Sequence, residues 1–313
     1  SLFSDNMVTI LITGGTGLVG KALTRQLISL DYDCIVLSRN PGPAKDGIRY
    51  AAWNPDAGTM DDACLQEADY IIHLAGAGVA DQRWSVARKK EILDSRVKSG
   101  ALLVAKLASV PHKVKAVISA SAIGWYGADP EIPNPNPFTE EMPPDTAFLG
   151  DTCRQWEESL RPLTEMHIRL VKLRIGIVLS KHGGALKEFL KPLRFGVAAV
   201  LGNGKQMVSW IHIDDLVNMF VFAMTKENIE GVYNATAPQP VNNRGLTLTL
   251  AKAKKGFYIP MPVPAFVLKI VMGEMSIEVL KSATVSGRKI QEAGFTFTYP
   301  GIREALEKET QHK

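Results

Sequence analysis

Val8–Thr13 (VTILIT) is a short, β-branched apolar run that stops at Gly14-Gly15, and it predicts a buried strand. The next segment, Leu18–Leu30, carries apolar residues at Leu18, Val19, Ala22, Leu23, Leu27, Ile28 and Leu30, which is helical spacing. Further apolar runs follow at Cys34–Leu37, Ile48–Trp53, Tyr70–Leu74 and Val114–Ser119, with a long helical stretch from Trp84 to Ala108. Strands thus alternate with helices from the start, which predicts an α/β fold with a doubly wound parallel sheet covered on both faces.

Asp129–Pro144 is rich in proline and poor in apolar residues, so it reads as a long irregular loop. Asp151–Leu160 reads as a helix and Ile168–Leu179 as one strand. Beyond that, short elements (Ala185–Phe195, Trp210–Ile213, Asp215–Met224, Val232–Ala235) are separated by Gly and Pro. The expected division is a first domain at 7–182 and a smaller C-terminal α+β substrate lobe at 183–313, with some exchange of elements between them. Ser1–Asn6 are read as leader or cloning remnant and set aside. No internal repeat is present.

The 313 residues suffice for a sizeable core, and 46% hydrophobic with 22% charged residues is ordinary for a globular protein. A net charge of +4 does not call for a polyanion partner, and no nucleic acid is expected. Cys34, Cys64 and Cys153 form neither a disulfide framework nor a metal motif, so a reducing, cytoplasmic compartment and no metal are expected. No apolar run reaches spanning length and no signal peptide is visible, so no membrane partner is expected.

The sequence Thr13-Gly14-Gly15-Thr16-Gly17-Leu18-Val19-Gly20 lies between the first strand and the first helix. In that context glycines permit a tight turn, a close backbone approach to a pyrophosphate, and close helix–strand packing. The helix N-terminus adds free N–H groups and the positive end of a dipole. A phosphate-binding P-loop is excluded, because Lys21 is followed by Ala22 where a magnesium-holding hydroxyl is needed. The second strand continues into Ser38-Arg39-Asn40-Pro41, with no carboxylate at its end. An NAD site wants an acidic residue there; Ser38 and Arg39 suit a 2′-phosphate. NADP(H) is therefore the expected cofactor, ahead of NAD(H).

With these residues, His73-Leu74-Ala75-Gly76 and Ser119-Ala120-Ser121-Ala122, the chain resembles the extended short-chain dehydrogenase/reductases, which include nucleotide-sugar epimerases and dehydratases. Gly124-Trp125-Tyr126-Gly127, Trp156-Glu157, Arg174-Ile175-Gly176 and Trp210–Leu216 resemble an epimerase-like subfamily with a C-terminal domain of unknown function. Its frequent label of cell-division inhibitor finds no support in these residues. The resemblance implies a Rossmann-type domain and assigns roles by position. Gly14, Thr16, Gly17, Leu18 and Val19 would hold the pyrophosphate, and Ser38 and Arg39 the adenosine ribose. Leu74, Ala75 and Gly76 would line the path to the nicotinamide. Ser119, Ala120, Arg174 and Gly176 would sit beside that ring. A homodimer through the long helix is implied as well.

The family's usual proton relay is a Ser with a Tyr-x-x-x-Lys pair on the following helix. Anchored on Glu157, the tyrosine slot holds Leu149 and the lysine slot Cys153. Ser121 and Tyr126 are the remaining candidate catalytic hydroxyls. Cys153 reads as an inert buried thiol and His73 as a packed, hydrogen-bonded ring. His212 reads as structural, with Asp214 as N-cap of the helix that follows. Trp84 with Arg83, Arg88, Lys89 and Lys90 reads as a solvated face. Three functions stay open: an NADP(H)-dependent oxidoreductase on an unknown small substrate, a non-catalytic NADP(H)-binding regulator, and a conventional nucleotide-sugar epimerase. Loss of the Tyr/Lys pair argues against the last.

Overall fold

The computed structural model describes residues 7–311; the six residues set aside above, and the last two of the C-terminal lobe, lie outside that range. The first strands are β1 (Thr9–Thr13), β2 (Asp33–Ser38), β3 (Ile48–Asn54) and β4 (Thr59–Met60), with helices α1 (Leu18–Ser29) and α2 (Asp62–Glu67). Then come β5 (Tyr70–His73), α3 (Val86–Ser109), β6 (Ala116–Ala122), α4 (Phe148–Ser159) and β7 (Arg169–Ile175). Their sheet has eight strands in the order β12-β7-β6-β5-β1-β2-β3-β4, where β12 is Gly231–Ala235. All its pairings are parallel except β3 with β4. The strand order reverses beside β1, between β2 and β5. In open α/β sheets that switch point is where a crevice forms at the carboxyl ends of the strands.

The alternation along each strand explains the two layers. On β1, Ile10 and Ile12 face one apolar cluster and Leu11 the other. The first cluster lies under α1 and α6 (Ile213–Thr225); the second lies under α2 and α3. This double burial is why the central strands read as continuous apolar runs.

The chain from 168 to 179 is two strands, not one. It breaks at Gly176, whose N–H donates to Ala235 O at 3.1 Å, and β8 (Ile177–Leu179) leaves to pair with β11 (Trp210–His212). The remaining elements are α5 (Gly184–Leu193), β9 (Val197–Leu201), β10 (Met207–Val208), β13 (Val241–Asn242), α7 (Asn243–Lys254), β14 (Ile259–Val263), α8 (Ala265–Met272), α9 (Ser276–Leu280), α10 (Arg288–Glu292) and α11 (Ile302–Thr310). Leu186, Leu250 and Leu306 from these elements form a separate apolar cluster with Trp210, whereas Ile290 of α10 joins the cluster under α1 and α6.

Two local readings change, and the proline-rich loop is irregular as expected. His212, not Asp214, caps α6, because its Nδ1 accepts the Asp214 N–H at 3.0 Å and Asp214 is already in the first turn. The basic group around the start of α3 is a joint rather than a solvated face. Arg83 donates to Ile270 O and Val271 O, Lys89 pairs with Glu274 at 2.7 Å, and Arg88 is buried. Trp84 stands outside α3, edge-on to Phe148. The proline-rich loop is fastened, since Asp129 accepts from Ser282 and Thr284 and Phe138 exchanges backbone bonds with Thr284 and Ser286.

Candidate functional site

The turn after β1 is built by steric necessity. Gly14 has φ +69°, and a Cβ there would lie 2.7 Å from the Leu74 carbonyl. Gly17 caps α1 with extended backbone; no side chain caps the helix and no acidic residue stands in its first turn. A Cβ on Gly17 would meet nothing nearer than Gly14 O at 3.6 Å. The helix therefore presents uncapped N–H groups to an open cradle, which suits a phosphate.

Thr13 holds this turn to the neighbouring strand. Its hydroxyl accepts the N–H groups of Leu74 (3.0 Å) and Ala75 (3.1 Å) and lies 2.7 Å from His73 Nδ1. With its lone pairs taken, the hydroxyl donates its one proton to Nδ1. His73 is therefore neutral with its proton on Nε2, an atom that has no partner in the fold. Full burial pushes its pKa down to about 4.

A cleft of about 650 Å³ runs along these ends. Gly14, Gly15, Thr16, Ser38 and Arg39 form one wall; Ala75, Gly76, Ala77 and the α3 residues Glu91, Asp94 and Lys98 form the other. Arg39 is exposed and pairs with Asp56 at 3.0 Å, and Lys98 stands 3.6 Å from the same carboxylate. Ser38 Oγ accepts the Asn40 N–H. Lys98 and Asp56 were not singled out in the sequence, because α3 and the β3–β4 turn meet β2 only in three dimensions.

Around β6 and β7 the sequence candidates form one buried network. Ser121 Oγ donates to Glu157 Oε2 at 2.7 Å. Arg174 grips the same carboxylate, Nε to Oε2 at 2.9 Å and Nη2 to Oε1 at 3.1 Å, and its Nη1 donates to Glu140 O and to the Tyr126 hydroxyl. The guanidinium lies 3.7 Å from the Trp125 ring centroid. Tyr126 is fully buried; its hydroxyl donates to Asn234 Oδ1 at 2.6 Å, and burial pushes its pKa up to about 12 despite Arg174. Ser119 Oγ donates to Ala120 O. All three nitrogen groups of Arg174 and the hydroxyls of Ser121 and Tyr126 are thus engaged within the protein.

On α4, Leu149 and Cys153 face the Gly124 turn. A Cβ at Gly124 would lie 3.2 Å from Leu149 Cβ and 3.7 Å from Cys153 Sγ. Burial, and then Glu157, push the Cys153 thiol up to about 12, so it stays protonated.

Arg96 of α3 is the buried cation that the sequence reading passed over. It is only 8% exposed, and Nη1 donates to Ala77 O (2.9 Å) and Ile92 O (3.0 Å). Its guanidinium covers the Trp156 ring at 4.7 Å and runs beneath Gly76, where a Cβ would lie 2.9 Å from Cζ. Among the described residues no carboxylate lies within ion-pair distance of it, and burial pulls its pKa down to about 10. The signal was present: Ile92, Arg96, Ser99 and Leu103 share the buried stripe of α3, and an arginine there needs an explanation. Among the described residues no cluster of His, Cys, Asp or Glu could hold a metal ion.

The profile of the NAD dependent epimerase/dehydratase family matches residues 10–236, and that of a domain of unknown function, DUF1731, matches residues 263–309. An epimerase family protein of Mycobacterium tuberculosis is 32% identical over 95% of this chain and 96% of its own length. A chloroplastic epimerase family protein of Arabidopsis thaliana is 32% identical over 96% of this chain and 86% of its own length. Among solved structures, the human epimerase family protein SDR39U1 with NADPH superposes with a TM-score of 0.87 at 28% identity, covering 97% of this chain and 99% of that one. A Bacillus cereus UDP-glucuronic acid 4-epimerase, at 18% identity and a TM-score of 0.79, shares the fold.

Proposed function

Because the chain belongs to the NAD dependent epimerase/dehydratase family, we propose that it binds NADP(H) in the cleft beside β1 and acts as an oxidoreductase on a small substrate. The observation that carries the cofactor is the end of β2. Ser38 and Arg39 line the cleft there, and the partner of Arg39 is an exposed carboxylate that a phosphate dianion can replace. The uncapped start of α1 fits the pyrophosphate, and the human relative was solved with NADPH. When bound, the cofactor supplies hydride chemistry.

In this reading the Tyr/Lys slots are filled by Leu149 and Cys153, neither of which can pass a proton at neutral pH. Ser121, Tyr126 and Arg174 then hold the loop after β6 rather than act on substrate. Arg96, beside Cys153 and beneath Gly76, supplies the positive charge that the lysine supplies in typical members. It orients an oxygen of the ribose or of the substrate, and water or substrate provides the proton. Turnover of a panel of small aldehydes and ketones with NADPH tests this, and Arg96→Met must reduce it.

The engaged hydroxyls of Ser121 and Tyr126 favour a second reading, a protein that binds NADP(H) and responds to it without catalysis. Tight NADPH binding with no turnover on the panel is its signature.

A further inference from the structure

The edge of the small lobe carries an unusual surface. Phe195, Phe257, Ile259, Met261, Phe266 and Ile270 are all exposed; Phe195 and Phe257 reach 86% and 79%, and Ile270 71%. The chain itself makes them neighbours. Phe257 packs against the turn at Gly196, where a Cβ would lie 3.4 Å from its ring. Next comes β14, paired on one side only, to β9, and then α8, of which only Leu268 is buried. Monomeric proteins seldom leave so many large apolar side chains in water without a use for them.

Two observations say what covers this rim. The first is charge. From Gly231 to Gly273 the chain has no Asp or Glu but has Arg244, Lys252, Lys254, Lys255 and Lys269. From Phe189 to Ile213 it again has no acid, with Lys191, Arg194 and Lys205. Among the described residues Arg194, Lys254, Lys255 and Lys269 have no carboxylate within 4.0 Å, although cations elsewhere on the surface are commonly paired. The second is the strand edge. Ile259 N–H donates inward to Gly196 O, and Val263 O accepts inward from Gly202 N–H. The residues whose N–H would point outward are Pro260 and Pro262, which have none, so the edge cannot add a strand from another protein.

Apolar side chains flanked by unpaired lysines, with the bordering Glu188 and Glu274 already paired to Lys191 and Lys89 and with no strand-pairing edge, fit the boundary of an anionic bilayer. We propose that this rim, β14 with α8 and the Phe195 turn, docks the protein peripherally on anionic lipid. The aromatic and aliphatic side chains enter the headgroup boundary, and the lysines meet the lipid phosphates. No helix among the described residues is long and apolar enough to cross a membrane, so the contact is superficial. The proposal does not depend on the reading of the cofactor cleft.

The test is flotation of the full chain with vesicles of phosphatidylcholine alone and of equimolar phosphatidylcholine and phosphatidylglycerol. The expected result is flotation with the anionic vesicles only, reversed by high salt. Two paired variants, Phe257→Ser with Phe266→Ser and Lys254→Glu with Lys255→Glu, should each lower the bound fraction about tenfold. Circular dichroism and thermal unfolding check that both pairs remain folded. Absence of flotation, or equal flotation by folded variants, overturns the proposal. So does lipid-free self-association that the Phe257/Phe266 pair abolishes, because the face would then join two copies of the chain.

Discussion

Glu157 of α4 and Arg174 of β7 meet through two hydrogen bonds, at 2.9 and 3.1 Å, and both side chains are almost wholly buried. Ser121 adds a third bond to the carboxylate. The pair joins helix to sheet behind the loop that carries Trp125 and Tyr126. Removing one partner leaves an uncompensated charge, so Glu157→Ala should cost about 3–5 kcal/mol in denaturant unfolding. Ser121→Ala, which removes one bond from a carboxylate that keeps two, should cost about 1 kcal/mol. A Glu157→Ala protein within 1 kcal/mol of wild type, an amount below that about 3–5 kcal/mol range, would show that the network does not hold the fold together.

The two glycines of the turn should part company. Gly14→Ala strains a positive φ and drives a methyl into the Leu74 carbonyl, so the thermal midpoint should fall. Gly17→Ala meets no protein atom within van der Waals overlap, so the fold should survive while NADPH binding weakens by about tenfold or more. Scanning calorimetry and titration on the same two proteins separate the effects. Loss of stability in Gly17→Ala with unaltered affinity would place the dinucleotide elsewhere.

Arg96 is buried with no carboxylate among the described residues within ion-pair distance, an arrangement that stability alone does not favour. Arg96→Met should therefore lose little stability, since the desolvated charge disappears along with the bonds to Ala77 and Ile92. NADPH affinity or turnover should fall about tenfold. Arg96→Lys keeps the charge but not the planar fork, and it should recover part of the loss. An unfolded Arg96→Met protein would make Arg96 a structural residue.

His73 gives a pH dependence of definite sign. Its folded pKa, about 4, lies below the ordinary 6.5, so the unfolded chain binds a proton more readily between these values. The neutral ring contributes stability that is fully present above pH 6.5 and is lost as pH falls towards 4, in total about 3 kcal/mol. His73→Asn keeps an acceptor for the Thr13 hydroxyl and cannot be protonated. The stability difference between wild type and variant should shrink by about that amount, about 3 kcal/mol, across the window. Parallel stability–pH curves would refute the assignment.

The sheet was legible because its strands are buried on both faces and punctuated by glycine; Val8–Thr13 and its glycine turn fixed the switch point. The break at Gly176 was not, because β-branched and apolar residues run on from the end of β7 through β8 and only the pairing of β8 with β11 separates them. Asp214 looked like a cap because its residue type is common there, yet the helix begins earlier, at Ile213, and the His212 ring accepts the Asp214 N–H. Ser38 and Arg39 stood out because they follow a strand. Arg96, Lys98 and Asp56 did not, since their approach to the cleft depends on how α3 and the β3–β4 turn pack over β2. The commitment of Ser121 and Tyr126 to Glu157, Arg174 and Asn234 rests on side-chain contacts between residues up to 108 positions apart, which no local pattern encodes.

In the proposed function the end of β2 reads a 2′-phosphate. The direct measurement is calorimetric titration with NADPH and with NADH, on wild type and on Arg39→Ala. NADPH should bind at least about tenfold more tightly, about 1.4 kcal/mol, and the substitution should erase that preference while leaving NADH affinity unchanged. Equal affinities in the wild type, or a preference that survives without Arg39, would show that Arg39 does not read a 2′-phosphate.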